Sequence, residues 1–188
     1  MECVIRQATR EDCDPLMGLM REIAEFHHLL DEVTINSQVL KTDGFGEDPF
    51  FKCILAELPA EKGGKAARPI GFALYFFGYS VLHGRIVFLE SLYVASEFRG
   101  KGIGVKLLGK VAEIALAAGC KEVRFVAMEW NSPAKDFYLR LGAKDMTQSH
   151  QQWHSMELSG EALQRLAQKG RRSPGGALGS SSGQAQQP

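Results

Sequence analysis

The sequence predicts a mixed α/β fold, in which a central sheet of mostly antiparallel strands is flanked by helices. Three strand-like apolar runs follow one another at residues 50–58, 70–80 and 85–94, with connections short enough for hairpins. The segments before and after these runs carry apolar residues at the spacing of an amphipathic helix. Consecutive strands with helices outside them are typical of a mixed sheet and argue against a doubly wound parallel sheet.

The first third of the chain is predicted to form one short strand and two helices. Residues 3–8 form the strand, and the stretch from Thr9 to Asp12 resembles a capping box at the start of a helix. A second, short helix is expected over residues 37–42. The apolar positions that place the first helix recur at helical spacing, at Leu16, Leu19, Met20, Ile23, Phe26 and Leu30.

The remainder of the chain is predicted to alternate helices and strands. Gly119 and Gly142 each follow a helical pattern and suit the position after a helix, and Pro133 suits a first helical turn. We therefore expect helices over residues 102–118, 132–142 and 161–169, and strands over residues 120–128 and about 143–158.

The charge balance excludes several classes of partner. The chain has 188 residues, with 22 Lys and Arg against 22 Asp and Glu. A protein that coats nucleic acid needs an excess of cations, so we expect no nucleic-acid partner. No apolar run approaches the roughly 20 residues that span a bilayer, and the amino terminus lacks a signal-peptide core. We therefore expect no membrane partner and a cytoplasmic location.

The carboxyl-terminal end differs in composition from the rest of the chain. Residues 170–188 are rich in Gly, Ser, Pro and Gln, and such a segment buries too little apolar surface to offset its ordering entropy. We predict one folded domain at residues 1–169 and a disordered tail at residues 170–188. The tail contains Arg171 and Arg172, so the domain has 20 basic against 22 acidic residues, a net charge of −2.

The cysteines and histidines predict no metal site. The cysteines are far apart and include no C-x-x-C pair, which predicts free thiols. They are Cys3, Cys13, Cys53 and Cys120. His27, His28 and His83 show no ligand spacing with acids or cysteines, so each is interpreted as a solvated histidine.

The most informative stretch is Phe98-Arg-Gly-Lys-Gly-Ile-Gly-Val105, which connects a strand to a helix. Its glycines let the backbone approach a ligand closely, and the amides at the start of the helix favour an anion. Arg99 adds a charge suited to phosphate, which makes a pyrophosphate the ligand of matching size. The alternative is a plain turn that starts a helix. The spacing R-G-x-G-x-G differs from the dinucleotide-binding fingerprint. It is not a P-loop either, because no Gly-Lys-Ser/Thr ends it.

This stretch resembles motif A of the GNAT superfamily of N-acetyltransferases, Arg/Gln-x-x-Gly-x-Gly/Ala, and the strand FLESLYV (88–94) precedes it. WNSPAKDFY (130–138), followed by LGA (141–143), resembles the family's motif B. The resemblance covers about residues 3–165 and implies the GNAT fold, a mixed central sheet with two splayed strands, flanked by helices. The chain is most similar to the diamine acetyltransferases, the group of the spermidine/spermine N1-acetyltransferases and their thialysine-acetylating paralogue. The segments that carry this similarity include IRQAT (5–9), DGFGEDPFF (43–51), GFALYFFGYS (71–80) and EWN (129–131).

The resemblance implies that acetyl-CoA binds where the strands at 86–94 and 121–128 splay apart. The pantetheine arm would pair with the backbone of Leu92, Tyr93 and Val94, as an added strand does. The pyrophosphate would be held by the turn that contains Arg99, Gly100, Lys101, Gly102, Ile103, Gly104 and Val105. The far side of the cleft would be formed by Asn131, Ser132, Pro133, Ala134 and Tyr138.

The implied reaction is direct transfer of an acetyl group from a thioester to an amine. A primary amine with a pKa of about 10.4 is mostly protonated at neutral pH, so the site must take up a proton. Glu90 is the expected base or ammonium ligand, and the alternative is an ordinary surface charge. Tyr138 corresponds to the family's general acid, which protonates the leaving thiolate. Its alternative role is that of a core aromatic beside Phe137.

Amine recognition differs from that of the polyamine enzymes. Those enzymes have a second acid where this chain has Ser91, and another acid where it has His27. Each protonated amine needs a partner, so these changes favour a thialysine-like or lysine-like acceptor over spermine. Trp153 corresponds, by the same resemblance, to a tryptophan that lies near the substrate in this family. The positions that correspond to substrate contacts are Phe26, His27, Glu90, Arg124, Phe125 and Val126.

We therefore expect an N-acetyltransferase that uses acetyl-CoA and a small primary amine, either a thialysine-like or lysine-like amino acid, a diamine or a polyamine. One alternative is a protein lysine or N-terminal acetyltransferase, which would need an open peptide groove. Another is a catalytically weak protein that binds acetyl-CoA as a sensor or partner. The resemblance also implies a homodimer.

Overall fold

The computed structural model of the chain describes residues 3–60, 66–147 and 156–171, and it divides into two compact units, one ending at Asn131 and one starting at Ser132. Within the described residues, the strands are β1 (Val4–Gln7), β2 (Lys52–Leu58), β3 (Arg68–Ser80), β4 (Gly84–Val94) and β5 (Glu122–Arg124). The α-helices are α1 (Cys13–Phe26), α2 (Ser37–Phe45), α3 (Ile103–Ala117), α4 (Ser132–Arg140) and α5 (Gly160–Arg171).

The strands form one sheet in the first unit, in the order β1-β2-β3-β4-β5. The pairs from β1 to β4 are antiparallel, whereas β5 lies parallel to β4. Strands β4 and β5 are joined through α3, which is the crossover that a parallel pair requires. The predicted mixed sheet is confirmed.

The core lies where α1 and α3 pack against the sheet. Strand β3 buries Phe72 and Tyr75 completely, and β4 buries Val87 and Leu89. Each large apolar side chain removed from water stabilises the fold by about 1.5–3 kcal/mol. Helix α3 faces this core with residues four apart, namely Ile103, Leu107, Val111 and Ala115.

Helix α1 ends at Phe26, four residues before the predicted end at residue 30. His28 takes a left-handed conformation with a φ of 60°. The N–H of Leu29 then bonds the carbonyl of Ala24, and that of His28 bonds Glu25, as in a Schellman motif. The motif stops the helix although the apolar spacing continues. Helix α2 extends to Phe45, beyond the predicted residue 42.

Two strand predictions are corrected by the structure. The strand expected over residues 120–128 forms only from Glu122 to Arg124, the three residues that pair with Ile86, Val87 and Phe88 of β4. Residues 143–147 and 156–159, within the strand or hairpin expected at 143–158, are in no strand, and residues 148–155 lie outside the described part. Gly119 and Gly142 follow α3 and α4 with positive φ, as predicted.

A partly buried ion-pair cluster ties the start of α1 to the sheet. Arg6 on β1 donates to both carboxylate oxygens of Asp12, at 2.7 and 2.8 Å, and also pairs with Glu57 on β2. Asp12 also accepts the Thr9 N–H at 2.7 Å. Hydrogen bonds from Arg6 hold the pKa of Asp12 below its ordinary value. The carboxylate is therefore stabilised in its charged form in the folded state.

Replacing Arg6 with Gln is expected to destabilise the fold by about 2 kcal/mol, because Asp12 and Glu57 lose their shared cation while Asp12 stays buried. Urea unfolding measures the change, and R68Q, which removes an exposed pair with Glu97, should cost under about 1 kcal/mol. Because the pKa of Asp12 is lowered on folding, its contribution is present above an unfolded pKa of about 3.9 and is lost as pH falls below it. Equal losses for both variants at neutral pH would contradict this account.

The structure bears on three further predictions within its described residues. Cys3, Cys13, Cys53 and Cys120 are free thiols. The helices described include none that is long and apolar enough to cross a membrane, and no group of metal-ligating side chains is found among the same residues. The single domain at residues 1–169, the disordered tail at 170–188 and the cytoplasmic location stay predictions, and residues 172–188 lie outside the described part.

Candidate active site

Strand β5 ends halfway along its neighbour β4. They pair only at Ile86 with Glu122, Val87 with Val123 and Phe88 with Arg124. Strand β4 continues to Val94 with β3 on its other side. In the described part of the chain, no strand lies against the β5 side of residues 89–94. This leaves a strand edge to which an extended ligand arm can hydrogen-bond. Because β5 ends at Arg124, the expected splay of two strands stays a prediction.

A β-bulge places Glu90 just beyond the last residue of β4 that pairs with β5. On β3, Leu74 pairs with Ser91 and the next residue, Tyr75, pairs with Leu89. Glu90 is the extra residue between them, so the ladder skips it. A bulge bends a strand and redirects a side chain. Leu89 is buried while Glu90 is exposed, so its carboxylate faces away from the core and is accessible to a ligand.

The turn before α3 has the geometry of an anion site. Gly100 and Gly102 have φ values of 73° and 77°, and a Cβ added at either would meet no atom within 4 Å. Gly102 is the N-cap residue, so the first amides of α3 lie next to an open, side-chain-free backbone. Such amides at the positive end of a helix favour phosphate oxygens. The residues present therefore fit the pyrophosphate of a coenzyme.

Arg99 makes contacts that the sequence did not suggest. Its Nε donates to the carbonyl of Val94 at 2.9 Å. Its guanidinium lies over the rings of Phe26 and Tyr93, at 5.0 and 5.4 Å. The Tyr93 hydroxyl in turn donates to Glu22 on α1 at 3.1 Å, and burial together with Glu22 raises the pKa of Tyr93. Arg99 thus joins the end of β4 to the end of α1, and its contact with phosphate stays a prediction.

Aromatic rings gather at the end of α1. Trp130 lies 5.5 Å from Phe26 and 5.8 Å from His27 between ring centres, and His28 is within 6.4 Å of the same indole. Burial lowers the pKa of His27, which favours a neutral imidazole at neutral pH. His28 is exposed, as predicted, whereas His27 is half-buried and is therefore less solvated than predicted. Trp130 was not proposed as a site residue, although its place in the EWN segment was a signal for it.

Arg124 belongs to a polar cluster at the turn of the β3–β4 hairpin. Its Nε donates to Glu122 at 2.8 Å, and its Nη2 lies 3.4 Å from both the Ser80 hydroxyl and His83 Nδ1. His83 Nδ1 is 2.5 Å from the other carboxylate oxygen of Glu122. His83 is exposed in the hairpin turn, as predicted, while it pairs with Glu122. Glu122 is 39 residues from His83, so only the fold brings them together.

The remaining predicted substrate residues do not share one environment. Phe125 is half-buried and packs on the core, whereas Val126 is exposed. Neither is in a strand. Trp153 lies outside the described residues.

The second unit holds the predicted general acid. Ser132, Pro133 and Ala134 form the first turn of α4, and Tyr138 lies near its end. The ring of Tyr138 is half-buried, with the Phe137 ring 5.1 Å away in an edge contact. Burial raises the pKa of Tyr138, so the phenol stays protonated at neutral pH and is able to donate a proton. Asn131 closes the first unit with a backbone bond from its N–H to Met128.

Known proteins share both the fold and the sequence. Residues 19–143 match the acetyltransferase (GNAT) family. The chain is 45% identical over 167 residues to a thialysine N-epsilon-acetyltransferase of Sus scrofa, covering 88% of this chain and 98% of that protein. It is 32% identical to a spermidine/spermine N(1)-acetyltransferase-like protein of Homo sapiens, covering 87% of this chain and 23% of the relative.

Solved structures agree with this assignment. An integron cassette protein from V. cholerae superposes with a TM-score of 0.67 at 25% identity, covering 89% of this chain and 98% of the other. A probable acetyltransferase superposes with a TM-score of 0.68 at 23% identity, which shows the shared fold. GNAT acetyltransferases use acetyl-CoA. The chain belongs to the GNAT acetyltransferase family and is an enzyme that transfers an acetyl group to an amine.

Proposed function

We propose that the chain acetylates the side-chain amine of a small amino acid of the thialysine or lysine type, with acetyl-CoA as donor. The observation that carries the proposal is the open edge of β4, which begins at the bulge residue Glu90 and leads to the glycine turn before α3. The similarity to thialysine acetyltransferases over most of both chains supports the acceptor class.

The chain offers two kinds of contact to a coenzyme. Backbone groups of Leu92 and Tyr93 on the open edge would hold an extended amide arm, as a sheet edge holds a strand. The amides from Gly102 to Val105 would hold phosphate oxygens at the start of α3. Acetyl-CoA supplies an acetyl thioester between these contacts. Asn131, Ser132, Pro133 and Ala134 would contribute from the other side, as the family resemblance implies.

Glu90 would prepare the amine for attack. Its carboxylate would bind the substrate ammonium and take up its proton, directly or through water, so that the nitrogen lone pair becomes available. The new C–N bond then forms as the C–S bond breaks, and the nitrogen releases its second proton to solvent. Tyr138 would give its proton to the sulfur and regain one from solvent. The raised pKa of Tyr138 supports this role, because the phenol remains protonated when the thiolate forms.

Release of CoA thiol, followed with and without thialysine, tests the proposal. We expect release that depends on both substrates and an acetylated thialysine product. Binding of CoA without turnover on any amine would overturn the proposal and leave a sensor or partner protein. A homodimer is part of the proposal, and sedimentation at twice the chain mass of 20.7 kDa tests it.

Replacing Glu90 with Gln is expected to lower kcat/KM for the amine by about 100-fold at neutral pH, because the ammonium loses its charged partner and proton acceptor. The KM for acetyl-CoA should stay the same. The deficit should shrink as pH approaches the amine pKa of about 10.4, where the acceptor is already deprotonated. E113Q is the matched control, since Glu113 pairs with Lys110 on the exposed side of α3. A loss that is equal at every pH, or shared by E113Q, would rule out this role.

A further inference from the structure

We infer that Arg99 determines where the arm of the coenzyme leaves β4, and that Glu22 on α1 is a positioning residue that holds Arg99 there through Tyr93. The inference rests on the proposed function and deepens the account of its coenzyme site. It follows from four side chains in mutual contact, which we call the Arg99 network: Glu22, Phe26, Tyr93 and Arg99.

The carbonyl of Val94 lies on the open edge of β4. The N–H of the next residue, Ala95, donates to the carbonyl of Ile70 on β3 at 2.9 Å. The peptide bond between Val94 and Ala95 is trans, so its carbonyl and its N–H point in opposite directions. The Val94 carbonyl therefore points away from β3, to the side on which the described residues place no strand beside it.

Arg99 occupies this carbonyl. Its Nε donates to the Val94 oxygen at 2.9 Å, so this acceptor on the open edge already has a partner within the chain. The polar groups of a strand alternate between its two sides, which leaves the N–H of Val94 and both backbone groups of Leu92 facing the open edge. An extended arm can therefore pair with β4 as far as the Val94 N–H, and it must then turn toward the glycine turn.

Two aromatic rings hold the guanidinium of Arg99 in this place. It lies over the Phe26 ring at 5.0 Å and over the Tyr93 ring at 5.4 Å, and each ring face attracts a cation. Tyr93 is buried, with its ring centre 6.2 Å from that of Phe72 in the core. The exposed Arg99 side chain thus rests on a ring that the core fixes.

Glu22 strengthens the hold of Tyr93 on Arg99. The Tyr93 hydroxyl donates to the Glu22 carboxylate at 3.1 Å, and burial together with this carboxylate raises the pKa of Tyr93. The phenol therefore stays protonated and keeps donating at neutral pH. A hydrogen bond to a charged acceptor polarises the donor, which makes the ring face more negative and its attraction for the guanidinium stronger.

Two donors that differ in their phosphates test the inference. Acetyl-CoA is titrated into the full-length protein, and kcat/KM is measured for acetyl-CoA and for S-acetylpantetheine, which has the arm without the phosphates. E22Q should weaken acetyl-CoA binding by about fivefold, the effect of an exposed cation–π contact, and lower kcat/KM for both donors by the same factor. The kcat at saturating acetyl-CoA should stay the same. E25Q removes an exposed carboxylate one turn further along α1 and should behave as the wild type.

A double-mutant cycle tests whether Glu22 acts through Tyr93. Y93F removes the hydroxyl and keeps the ring, so it should match E22Q, and E22Q should have no further effect in the Y93F background. Wild-type affinity in E22Q would overturn the inference, as would the same fold-loss on adding E22Q to Y93F. A loss confined to acetyl-CoA would also overturn it, because that would place the effect at the phosphates. If no amine is acetylated, the proposed function fails, whereas the acetyl-CoA titrations still test Glu22 and Tyr93.

Discussion

Replacing Tyr138 with Phe should lower kcat by about 100-fold or more, the effect of losing a positioned general acid. The hydroxyl is the only group removed, and the ring that packs beside Phe137 remains. The KM for acetyl-CoA should change by less than about threefold, because the proton is needed when the thiolate leaves rather than when the coenzyme binds. Steady-state rates at saturating concentrations of both substrates measure the change in kcat.

The pH profile and a control variant complete this test. Because burial raises the pKa of Tyr138, wild-type kcat should not fall between about pH 7 and about pH 9 through loss of the phenolic proton. Y79F, which alters an exposed tyrosine on β3, should retain full activity. If Y138F kept the wild-type kcat, Tyr138 would have no part in proton transfer.

Replacing Gly102 with Ala should weaken acetyl-CoA binding, with the KM rising at least about 10-fold, the loss of one or two charge-assisted hydrogen bonds. Gly102 has a φ of 77° and caps α3, and its missing Cβ leaves the space in which phosphate oxygens would approach the helix amides. The strained backbone should also destabilise the fold by about 1–2 kcal/mol. Thermal unfolding and acetyl-CoA titration measure the two effects separately.

The other end of α3 provides a matched control. Gly119 follows the helix with a φ of 74°, so G119A carries the same backbone strain without touching the glycine turn. Both variants should lose similar stability, and only G102A should lose affinity for acetyl-CoA. Equal affinities for the two would show that the turn at Gly102 is a structural feature and holds no phosphate.

The sequence alone predicted most of the sheet, because the strands at 50–58, 70–80 and 85–94 are bounded by turn residues and rich in buried side chains. The sequence did not predict where elements end when tertiary contacts or a single backbone conformation set the end. The apolar spacing of α1 continues to Leu30, but a left-handed His28 ends the helix earlier. The apolar-rich run over residues 120–128 is typical of a strand, yet it pairs with β4 only from Glu122 to Arg124.

The candidate site was predicted unevenly for the same reason. Local patterns identified the glycine turn, because the strand, turn and helix that form it are contiguous in sequence. Glu90 was found by its place on β4, but the bulge that exposes it depends on pairing with β3. The contacts of Arg99 with Phe26, and of His83 with Glu122 and Arg124, join distant segments through side chains. No spacing rule in a single sequence reveals such contacts.

The most direct test of the proposed function is a competition in one tube. The enzyme is given acetyl-CoA with equal concentrations of thialysine, spermidine and a lysine-containing peptide, and mass spectrometry follows the first acetylated products. The account predicts that acetyl groups accumulate first on the side-chain amine of thialysine. First acetylation of spermidine or of the peptide would contradict it, because the proposed acceptor is the side-chain amine of a small amino acid.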